Sequence, residues 1–436
     1  MASPQSLSYI VVGAGVFGTS TVLYLKSRYP DADVTLIDRH DPDAPTRPAA
    51  SWDWNKVVRA DYRDITYCRI ALEAQDQWRT NPLWNQFYHE TGIYWISRTS
   101  FAQKVIDNFK ELGRDAEIYA SPVQEARKLY GGIFENADYE GVDRVLINKT
   151  SGWAAAKDAL QAGIRQAISI GVKYITAEVG QLMFEDETQC VGIRTKDGRT
   201  INAKNTVLCT GAFTPVLLEN AANSTSRNAL RAENRMIAAG VTTGLVTLDE
   251  ETAKRFKGMP VIIQENPVER GTSNGTLPTV SDNQIKFWGQ STFQYPQGTP
   301  ALSRPPTGVD YNQWEVPDVL KADVAVATGA TFGKEGSNWR VHTHRICWDC
   351  VTPSEDFIIS HHPASAGLFI ATCGSFHGWK FLPVIGRYVL QMLEGSLEPD
   401  LAKRWAWDRP LPESPGKEWP RHDLRELLGE AENRPQ

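Results

Sequence analysis

The segment Tyr9–Gly18, with the sequence YIVVGAGVFG, decides the fold of this chain. Four apolar residues run directly into a Gly-x-Gly-x-x-Gly turn, and a second apolar segment, Val34–Asp38 (VTLID), follows one helix later. This order of strand, glycine turn, helix, strand and acidic residue is typical of a dinucleotide-binding βαβ unit. Gly13 allows the tight turn, Gly15 lets the main chain approach a pyrophosphate, and Gly18 lets the helix pack close to the sheet.

The acidic residue at the end of the second strand supports a bound cofactor of the ADP type. Asp38 is expected to bind ribose hydroxyls, while the amides at the helix N-terminus face the phosphates. Val16 and Phe17 in the turn, and Arg39 beside Asp38, are further candidates for cofactor contacts. The alternative is a structural glycine turn in an empty α/β domain, and the motif alone does not distinguish NAD from FAD.

Length and composition are typical of a soluble enzyme with two domains. The chain has 436 residues, 41% of them hydrophobic and 22% charged, and its net charge of −6 gives no basic footprint for nucleic acid. No apolar run reaches the roughly 20 residues that span a bilayer. Six cysteines without a secretory signal at Met1–Ser8 argue against a disulfide framework. Because Asn433–Gln436 carries no peroxisomal tripeptide either, we expect an intracellular, cytoplasmic protein.

Signals of a nucleotide-binding layer recur along the chain. A helical pattern over 152–170 and a hairpin over 190–201 precede a buried strand, Thr206–Ala212, and a further strand at 368–372 precedes a helix at 383–393. The stretches between are richer in aromatic, proline and polar residues, which indicates a second domain inserted into the first. The predicted boundaries are 1–60, 146–224 and 341–436 for the cofactor-binding domain, and 61–145 and 225–340 for the substrate domain.

The spacing of these pieces resembles the glutathione-reductase-type FAD-binding fold more than the nicotinamide-binding Rossmann fold. In the former, a hairpin precedes a late strand whose glycine end lies under the FAD, and Gly211 has this position here. Val179, ahead of the hairpin, is a further candidate for cofactor contact. The predicted fold class is therefore α/β with an α+β second domain: a glutathione-reductase-type FAD-binding domain carrying an inserted β-sheet substrate domain.

Two C-terminal segments indicate a narrower family. Arg345–Pro353 reads RICWDCVTP, and Gly374–Pro383 reads GSFHGWKFLP. Together they resemble the family of monomeric sarcosine oxidase and fructosyl amino acid oxidase (amadoriase), flavoproteins that oxidise secondary amino acids. The resemblance extends from the first βαβ unit to about Gly395.

The resemblance implies a covalent cofactor. In that family a cysteine in this pattern links to the 8α-methyl group of FAD, and the matching residue is Cys347, which predicts an 8α-S-cysteinyl FAD. The alternative is a structural, redox or zinc-binding pair, since Cys350 follows three residues later. His361 and His362 would be the nearest further ligands, although their arrangement is not typical of zinc.

The family binds the substrate carboxylate with a lysine and an arginine, and the resemblance gives these roles to Lys380 and Arg59. Arginine offers a bidentate fork to a carboxylate, and lysine adds a point charge. The alternative for Lys380 is a solvated lysine at a helix end. His377 either hydrogen-bonds near the flavin or is a satisfied structural histidine. The remaining cofactor contacts are predicted at Ser51, Phe376, Gly378 and Lys380.

Lys286 corresponds to a lysine that lies near flavin N5 in the family. A fixed positive charge there stabilises the superoxide that forms when oxygen is first reduced. Lys286 lies in an apolar, strand-like run, Gln284–Gly289, so alternation could point it inward. The alternative is an outward lysine on a strand.

The mechanism implied by the resemblance requires no strong general base. A neutral secondary amine loses hydride from its α-carbon to flavin N5, the resulting imine is hydrolysed, and oxygen reoxidises the flavin to release H2O2. The ammonium form of the substrate cannot assist this transfer, so activity is expected to rise into the alkaline range.

Departures from the family pattern leave the substrate open. Sarcosine oxidases carry a histidine where this chain has Gln290, and Asp282 and Arg409 are the candidates for the acidic residue and the arginine of deglycating members. A fructosyl amino acid, saccharopine, pipecolate or an N-methyl amino acid would each suit Arg59 and Lys380. A flavin dehydrogenase with a protein electron acceptor, a non-catalytic flavoprotein and a nicotinamide dehydrogenase are weaker alternatives. We expect a monomer whose partners are a small amino acid and oxygen.

Overall fold

The N-terminal glycine turn joins a strand to a helix, as the sequence predicts. A computed structural model describes residues 7–186, 188–265, 273–278, 283–298, 301–306 and 313–427. Its first strand, Ser8–Val12, is buried from Tyr9 onward and pairs in parallel with Asp33–Asp38. The helix Val16–Arg28 connects these strands and buries its first turns against the sheet.

The strands of the described residues are, in chain order, β1 (Ser8–Val12), β2 (Asp33–Asp38), β3 (Asn55–Val58), β4 (Tyr88–His89), β5 (Ile93–Ile96), β6 (Ile118–Pro122), β7 (Arg144–Asn148), β8 (Gly152–Ala155), β9 (Lys173–Thr176), β10 (Val179–Phe184), β11 (Cys190–Thr195), β12 (Thr200–Asn202), β13 (Asn205–Leu208), β14 (Ile237–Thr247), β15 (Val261–Glu265), β16 (Ser273–Pro278), β17 (Gln284–Gln294), β18 (Pro296–Gln297), β19 (Leu302–Ser303), β20 (Thr343–Val351), β21 (Ile358–His361), β22 (Leu368–Thr372) and β23 (His422–Asp423). The helices are α1 (Val16–Arg28), α2 (Ile65–Thr80), α3 (Phe101–Glu111), α4 (Val123–Ala126), α5 (Ala156–Ser169), α6 (Thr214–Thr225), α7 (Glu250–Arg255), α8 (Asp318–Ser337), α9 (Ile385–Leu393) and α10 (Pro399–Arg404).

The first sheet contains the predicted nucleotide-binding layer. Its strand order is β21-β22-β13-β1-β2-β9, and all neighbours pair in parallel except the edge strand β21. The C-terminal strand β22 therefore lies two places from β1, as expected for a chain that returns to its cofactor. Helix α1 packs between α5 and α9 on one face. This arrangement, with its several further sheets, confirms the predicted α/β fold class.

Backbone contact explains two glycines of the turn. A Cβ atom on Gly18 would collide with the carbonyl oxygen of Gly13, so the first turn of α1 requires glycine there. Gly13 has a φ of 102°, and a Cβ atom on it would collide with the carbonyl oxygen of Cys209 at the end of β13. The turn is thus wedged between two parallel strand ends, where only glycine fits.

The second large sheet is mostly antiparallel. Its strand order is β20-β14-β17-β16-β15-β5-β7-β6, with β23 pairing to β17. Strand β20 lies within the segment 341–436 that was assigned to the cofactor-binding domain, yet it pairs along its whole length with β14. The large sheet therefore uses chain beyond 61–145 and 225–340, and the exact division into domains stays a prediction.

The predicted helix over 152–170 is wrong at its start. Gly152–Ala155 form β8, which pairs with β3, and the helix α5 begins only at Ala156. A Cβ atom on Gly152 would meet the carbonyl oxygen of His89, so close packing between strands decides the conformation here. No described helix combines the length and apolar character needed to cross a bilayer.

Candidate active site

Two cavities meet where the two large sheets approach each other. The first, of about 320 Å³, lies at the C-terminal ends of β1, β2 and β13, and the second, of about 540 Å³, lies against the face of the mostly antiparallel sheet. Lys56, Phe376 and Trp379 line both cavities. Ligands at the ends of parallel strands are typical of doubly wound folds, so we name them the cofactor cavity and the substrate cavity.

Most of the predicted cofactor contacts line the cofactor cavity. These are Gly13, Gly15, Val16, Phe17, Asp38, Arg39, Ser51, Val179, Gly211, Phe376 and Gly378. Gly18 acts from outside the cavity, through its close packing against Gly13. Lys380 lines the substrate cavity, and Cys347 lines neither cavity, although the next two residues, Trp348 and Asp349, line the cofactor cavity.

The polar groups of the cofactor cavity suit a nucleotide. Asp38 ends β2 inside the cavity and accepts hydrogen bonds from the amides of Ala14 and His40 at 2.8 and 3.0 Å. Burial opposes ionisation, yet the hydrogen bonds from His40 and the charge of Arg47 outweigh it and lower the pKa of Asp38. Gly15 faces the hydroxyl of Ser51, which a Cβ atom would approach to 3.1 Å.

One indole on the wall has an unused hydrogen-bond donor. Trp348 lines the cofactor cavity, and within the described chain its buried Nε1 has no hydrogen-bond partner. A buried N–H group normally finds an acceptor, and an FAD in this cavity would offer phosphate, ribose and ring acceptors. The residues present therefore fit the cofactor that the sequence predicts.

The alternation of β20 separates the two cysteines of the Cys-x-x-Cys motif. The Sγ atom of Cys347 accepts a hydrogen bond from Nζ of Lys56 at 3.6 Å. Cys350 points to the opposite face of the strand, where its Sγ atom lies 3.5 Å from that of Cys373. The two thiols of the motif therefore do not converge on one metal ion, and His362 is packed against Trp407 instead.

A buried carboxylate holds three cations beside the cofactor cavity. Asp53 is fully buried, and its Oδ2 atom lies 2.7 Å from Nζ of Lys286, 2.9 Å from Nζ of Lys56 and 4.0 Å from Nη1 of Arg345. Lys286 donates a second hydrogen bond to the carbonyl oxygen of Asn55 at 2.8 Å. We call Asp53, Lys56, Lys286 and Arg345 the Asp53 cluster.

Lys286 occupies the middle of the large sheet. Strand β17 pairs with β14 and β16 on its two sides, opposite Leu245 and Leu277, and the side chain of Lys286 is only 2% exposed. It is therefore an inward lysine that lines the substrate cavity. Burial and the charge of Lys56 lower the pKa of Lys286 to about 8, although Asp53 opposes them.

The two predicted carboxylate ligands lie on different segments of the substrate cavity. Arg59 follows β3, and its guanidinium lies between two rings, 4.6 Å from that of Tyr62 and 4.7 Å from that of Trp95. Lys380, in the turn after β22, donates to the hydroxyl of Tyr62 at 2.8 Å and to the carbonyl oxygen of His377 at 2.5 Å. Burial and the nearby charge of Arg59 lower the pKa of Lys380 well below its ordinary value. An anion bound between the two cations would raise the pKa of Lys380 again, because it favours the charged form.

His377 is a neutral link in this network. Its Nε2 atom donates to the carbonyl oxygen of Glu355 at 2.9 Å, which leaves Nδ1 to accept from the hydroxyl of Tyr62 at 3.1 Å. Burial and the charge of Lys380 lower the pKa of His377 to about 3, so the ring stays uncharged. His377 orients Tyr62, and through it Lys380.

The turn that carries these residues is held in an uncommon conformation. Cys373, Ser375 and Phe376 all have positive φ angles, of 68°, 46° and 57°. The buried carboxylate of Asp349 accepts a hydrogen bond from the amide of Phe376 at 2.8 Å, which fixes the turn against β20. Such left-handed residues cost about 1–2 kcal/mol each and are concentrated at functional sites.

The remaining candidates lie elsewhere. Arg409 lines neither cavity and donates to the carbonyl oxygens of Phe357 and Asp356 at 2.7 and 3.1 Å. Asp282 lies outside the described residues. Gln290 is in β17 and lines neither cavity.

Comparison with known proteins agrees with this geometry. The family model of FAD dependent oxidoreductases matches residues 8–392. The chain belongs to the FAD dependent oxidoreductase family. It is 26% identical over 427 residues to the L-saccharopine oxidase of Schizosaccharomyces pombe, which covers 92% of this chain and 93% of that protein. It is 23% identical over 409 residues to a monomeric sarcosine oxidase of Arthrobacter, with 92% and 96% covered.

A solved structure shows the same fold over nearly the whole chain. The structure of fructosyl peptide oxidase from E. terrenum has a TM-score of 0.82 at 23% identity and covers 97% of both chains. The predicted resemblance to the sarcosine oxidase and amadoriase group is therefore confirmed, as is the cofactor FAD. The protein is an oxidoreductase of the FAD-dependent amine and amino acid oxidases.

Sequence reasoning did not single out several residues of this flavoenzyme's site. Asp53 accepts a hydrogen bond from Lys286 and pairs with Lys56, and Tyr62 accepts one from Lys380. Asp349 fixes the turn before His377. The segment Asp53–Arg59 (DWNKVVR) was informative only in part. Its charged residues, Asp53, Lys56 and Arg59, are spaced three apart, which is not the two-residue period that places side chains on one face of a strand.

We expect Asp53→Asn to destabilise the protein by about 3–5 kcal/mol, because it leaves three buried cations without their counter-charge. The measurement is the free energy of unfolding from urea denaturation, together with the flavin content of the purified variant. Asp33→Asn is the matched control, since Asp33 pairs with Lys173 at 2.8 Å on the exposed surface. The control should cost no more than about 1 kcal/mol, and equal effects would contradict a central role for Asp53.

Proposed function

We propose that this flavoprotein oxidises amino acids whose nitrogen is a secondary amine and passes the electrons to oxygen, releasing H2O2. The observation that carries the proposal is the pairing of Arg59 with Lys380 in a cavity that shares a wall with the cofactor cavity. Arg59 is half-buried and Lys380 is buried, and neither forms an ion pair within the described chain, so the two cations together suit the carboxylate of a small substrate. FAD supplies the acceptor for the hydride that leaves the substrate α-carbon, and the imine product is hydrolysed by water.

The residues of the substrate cavity orient and select the substrate, and none of those around Lys380 acts as a strong base. His377 is neutral and both of its nitrogens are hydrogen-bonded, so it has no free position for a substrate proton. Tyr62 donates to His377 and burial raises its pKa, so it does not ionise at neutral pH. The substrate must therefore bind as, or become, the neutral amine before it is oxidised.

Several substrates are compatible with this site and with the similar proteins. A fructosyl amino acid agrees with the fold of fructosyl peptide oxidase, and saccharopine agrees with the name of the Schizosaccharomyces pombe relative. Pipecolate and N-methyl amino acids share the same carboxylate and secondary amine. Arg409 does not supply a cavity arginine to a sugar-bearing substrate, because its donors bind main-chain carbonyls. We further propose a monomer whose only partners in turnover are the amino acid and oxygen.

The first experiment is anaerobic mixing with a fructosyl amino acid, with saccharopine and with sarcosine while the oxidised flavin band is recorded. At least one should bleach it, faster at higher pH because more of the amine is neutral. Lys380→Met should raise the dissociation constant of that substrate by about tenfold to a hundredfold, since it removes a charge-assisted hydrogen bond. Lys403→Met, on the exposed surface of α10, is the control. If dithionite reduces the flavin but no secondary amino acid does, the proposal is wrong.

We propose that Lys286 activates oxygen. This role predicts that flavin reoxidation slows at higher pH, whereas flavin reduction by the substrate becomes faster. Because the pKa of Lys286 is lowered to about 8, its ammonium is present below that pH and lost above it. The rate at which oxygen reoxidises the dithionite-reduced enzyme should therefore fall as the pH rises through about 8. Lys286→Met should lower this rate by about a hundredfold or more and remove the pH dependence, whereas Lys173→Met on the surface should not.

An oxygen rate that is flat or rising through this range in the unmodified protein would contradict the assignment. A dehydrogenase with a protein acceptor would instead show slow reoxidation by oxygen at every pH. In that case the yield of H2O2 per reduced flavin distinguishes the two classes of enzyme.

We propose that the FAD is bound covalently through Cys347. Its thiol lies next to the wall residue Trp348 and accepts a hydrogen bond from the ammonium of Lys56 at 3.6 Å. Cys347→Ser should give a protein whose flavin is released on acid precipitation, while Cys350→Ser should retain it. Loss of covalent flavin in both variants, or in neither, would argue against this linkage.

A further inference from the structure

The substrate cavity contains a second set of charges that the carboxylate ligands do not use. Arg63, Glu265, Lys417 and Glu418 line the cavity and come from three separate segments of the chain. Arg63 and Lys417 have side chains that are 43% and 42% exposed, so this end of the cavity opens to solvent. We call these four residues the outer charge set.

A pair of aromatic rings connects the two ends of the cavity. Arg59 lies 4.7 Å from the ring of Trp95, and Arg63 lies 5.1 Å from the ring of Phe101. The two rings pack against each other with their centroids 4.2 Å apart and their planes tilted by 36°. All four line the cavity. Arg59 therefore lies at the cofactor end of the cavity wall and Arg63 at its mouth, and the two rings lie between them. An apolar wall between two charged ends suits a flexible hydrocarbon arm.

Two cations of the outer charge set flank Glu265. Its Oε2 atom lies 3.7 Å from Nη2 of Arg63, and its Oε1 atom lies 3.7 Å from Nζ of Lys417. Ser97 also donates to Glu265 at 2.5 Å. The single carboxylate of Glu265 thus lies between two cations without making a close ion pair with either, so both cations can also bind a carboxylate of a ligand.

Glu418 adds an acceptor beside these cations. Its amide donates to Oε1 of Glu355 at 2.9 Å, and the amide of Gly416 donates to the carbonyl oxygen of Pro353 at 2.8 Å, so the segment is fixed over the cavity. The carboxylate of Glu418 makes no hydrogen bond or ion pair within the described chain, and burial raises its pKa to about 7. A ligand ammonium would compensate for that desolvation.

The other acidic side chains of the cavity are already engaged. Asp61 accepts from Asn148 and Ser151 at 2.8 and 2.9 Å. Asp64 and Asp356 bind Arg404 at 2.8 and 2.6 Å. Glu418 is therefore the carboxylate best placed to meet a cationic group of the substrate.

We propose that the outer charge set binds an α-amino acid head group at the far end of the substrate, with its carboxylate on Arg63 and Lys417 and its ammonium on Glu418. The substrate class is then two amino acids that share one secondary amine, joined by an aliphatic arm that lies along Trp95 and Phe101. This inference rests on the proposed function, since Arg59 and Lys380 hold the first carboxylate. It disfavours substrates without a distal charge, such as sarcosine and pipecolate.

Three probes with the same N-substituted glycine unit test the inference. Nε-carboxymethyl-lysine carries the whole distal head group, N-carboxypentylglycine lacks the distal amine, and N-pentylglycine lacks both distal charges. Anaerobic flavin reduction over a range of concentrations gives a dissociation constant for each with the intact flavoprotein. We expect Nε-carboxymethyl-lysine to bind at least about tenfold more tightly than N-pentylglycine, with N-carboxypentylglycine between them.

Variants then assign the effect to its residues. Arg63→Gln and Lys417→Gln should each reduce the preference for N-carboxypentylglycine over N-pentylglycine, and Glu418→Gln should reduce only the advantage of the distal amine. Arg69→Gln should retain both preferences, because Arg69 binds Glu398 on the surface and lies outside the cavity. All four side chains are partly exposed, and flavin content reports on folding.

The outcomes separate the two proposals. Equal dissociation constants for the three probes, or a preference that survives Arg63→Gln and Lys417→Gln, would overturn the distal site while leaving the oxidase intact. Failure of all three probes, of sarcosine and of fructosyl and saccharopine substrates to bleach the flavin would overturn the proposed function itself. A graded preference that only the outer variants remove would establish the distal site.

Discussion

The active site depends on the burial of one carboxylate with three cations. An unpaired charge in a protein interior costs several kcal/mol, so Lys286, Lys56 and Arg345 can remain buried only because Asp53 lies among them. These residues come from the loop before β3, from β3, from β17 and from β20. The electrostatic requirement therefore fixes the relative positions of the strand beside the cofactor cavity and the sheet that faces the substrate. The cluster keeps a net positive charge, which is what the proposed role of Lys286 in the reduction of oxygen requires.

Buried charge also shapes the substrate cavity, but there the cations lack a close carboxylate partner. Lys380 lies beside Arg59 in a cavity where burial disfavours the charge of the lysine, and Tyr62 and His377 form hydrogen bonds there without adding negative charge. The buried carboxylate of Asp61 partly offsets these two charges, and in the proposed function the substrate carboxylate supplies the rest of the counter-charge. On that proposal, binding energy is concentrated at the end of the substrate next to the shared wall of the two cavities, where the α-carbon must be positioned. A neutral His377 is essential to this balance, because a third cation would repel Lys380.

Local patterns predicted the parts of the structure that local geometry determines. The glycine turn, the hairpin β11–β12 and the strands β13 and β22 follow from glycine spacing, turn residues and apolar runs, and each was found within a few residues. The start of α5 was missed because Gly152–Ala155 is held by pairing with β3, a contact that no local pattern shows. Asp53 and Tyr62 were missed for the same reason. Their partners are far away in sequence, and an aspartate or tyrosine in a polar segment has no distinguishing signal until the chain returns to it.

Strand β20 carries, in one short sequence motif, residues with different structural roles. Successive side chains alternate between faces, so Arg345, Cys347 and Asp349 share one face of the strand, whereas Cys350 and Trp348, which also lines the cofactor cavity, lie on the other. On the first face, Arg345 donates to the carbonyl oxygen of Ala49, and Asp349 holds the turn that carries His377. The spacing of the two cysteines, which in a loop would favour a metal pair, in a strand forces them apart. A motif of this kind has to be interpreted together with the secondary structure that contains it, because the same spacing gives convergent ligands in one conformation and opposed faces in another.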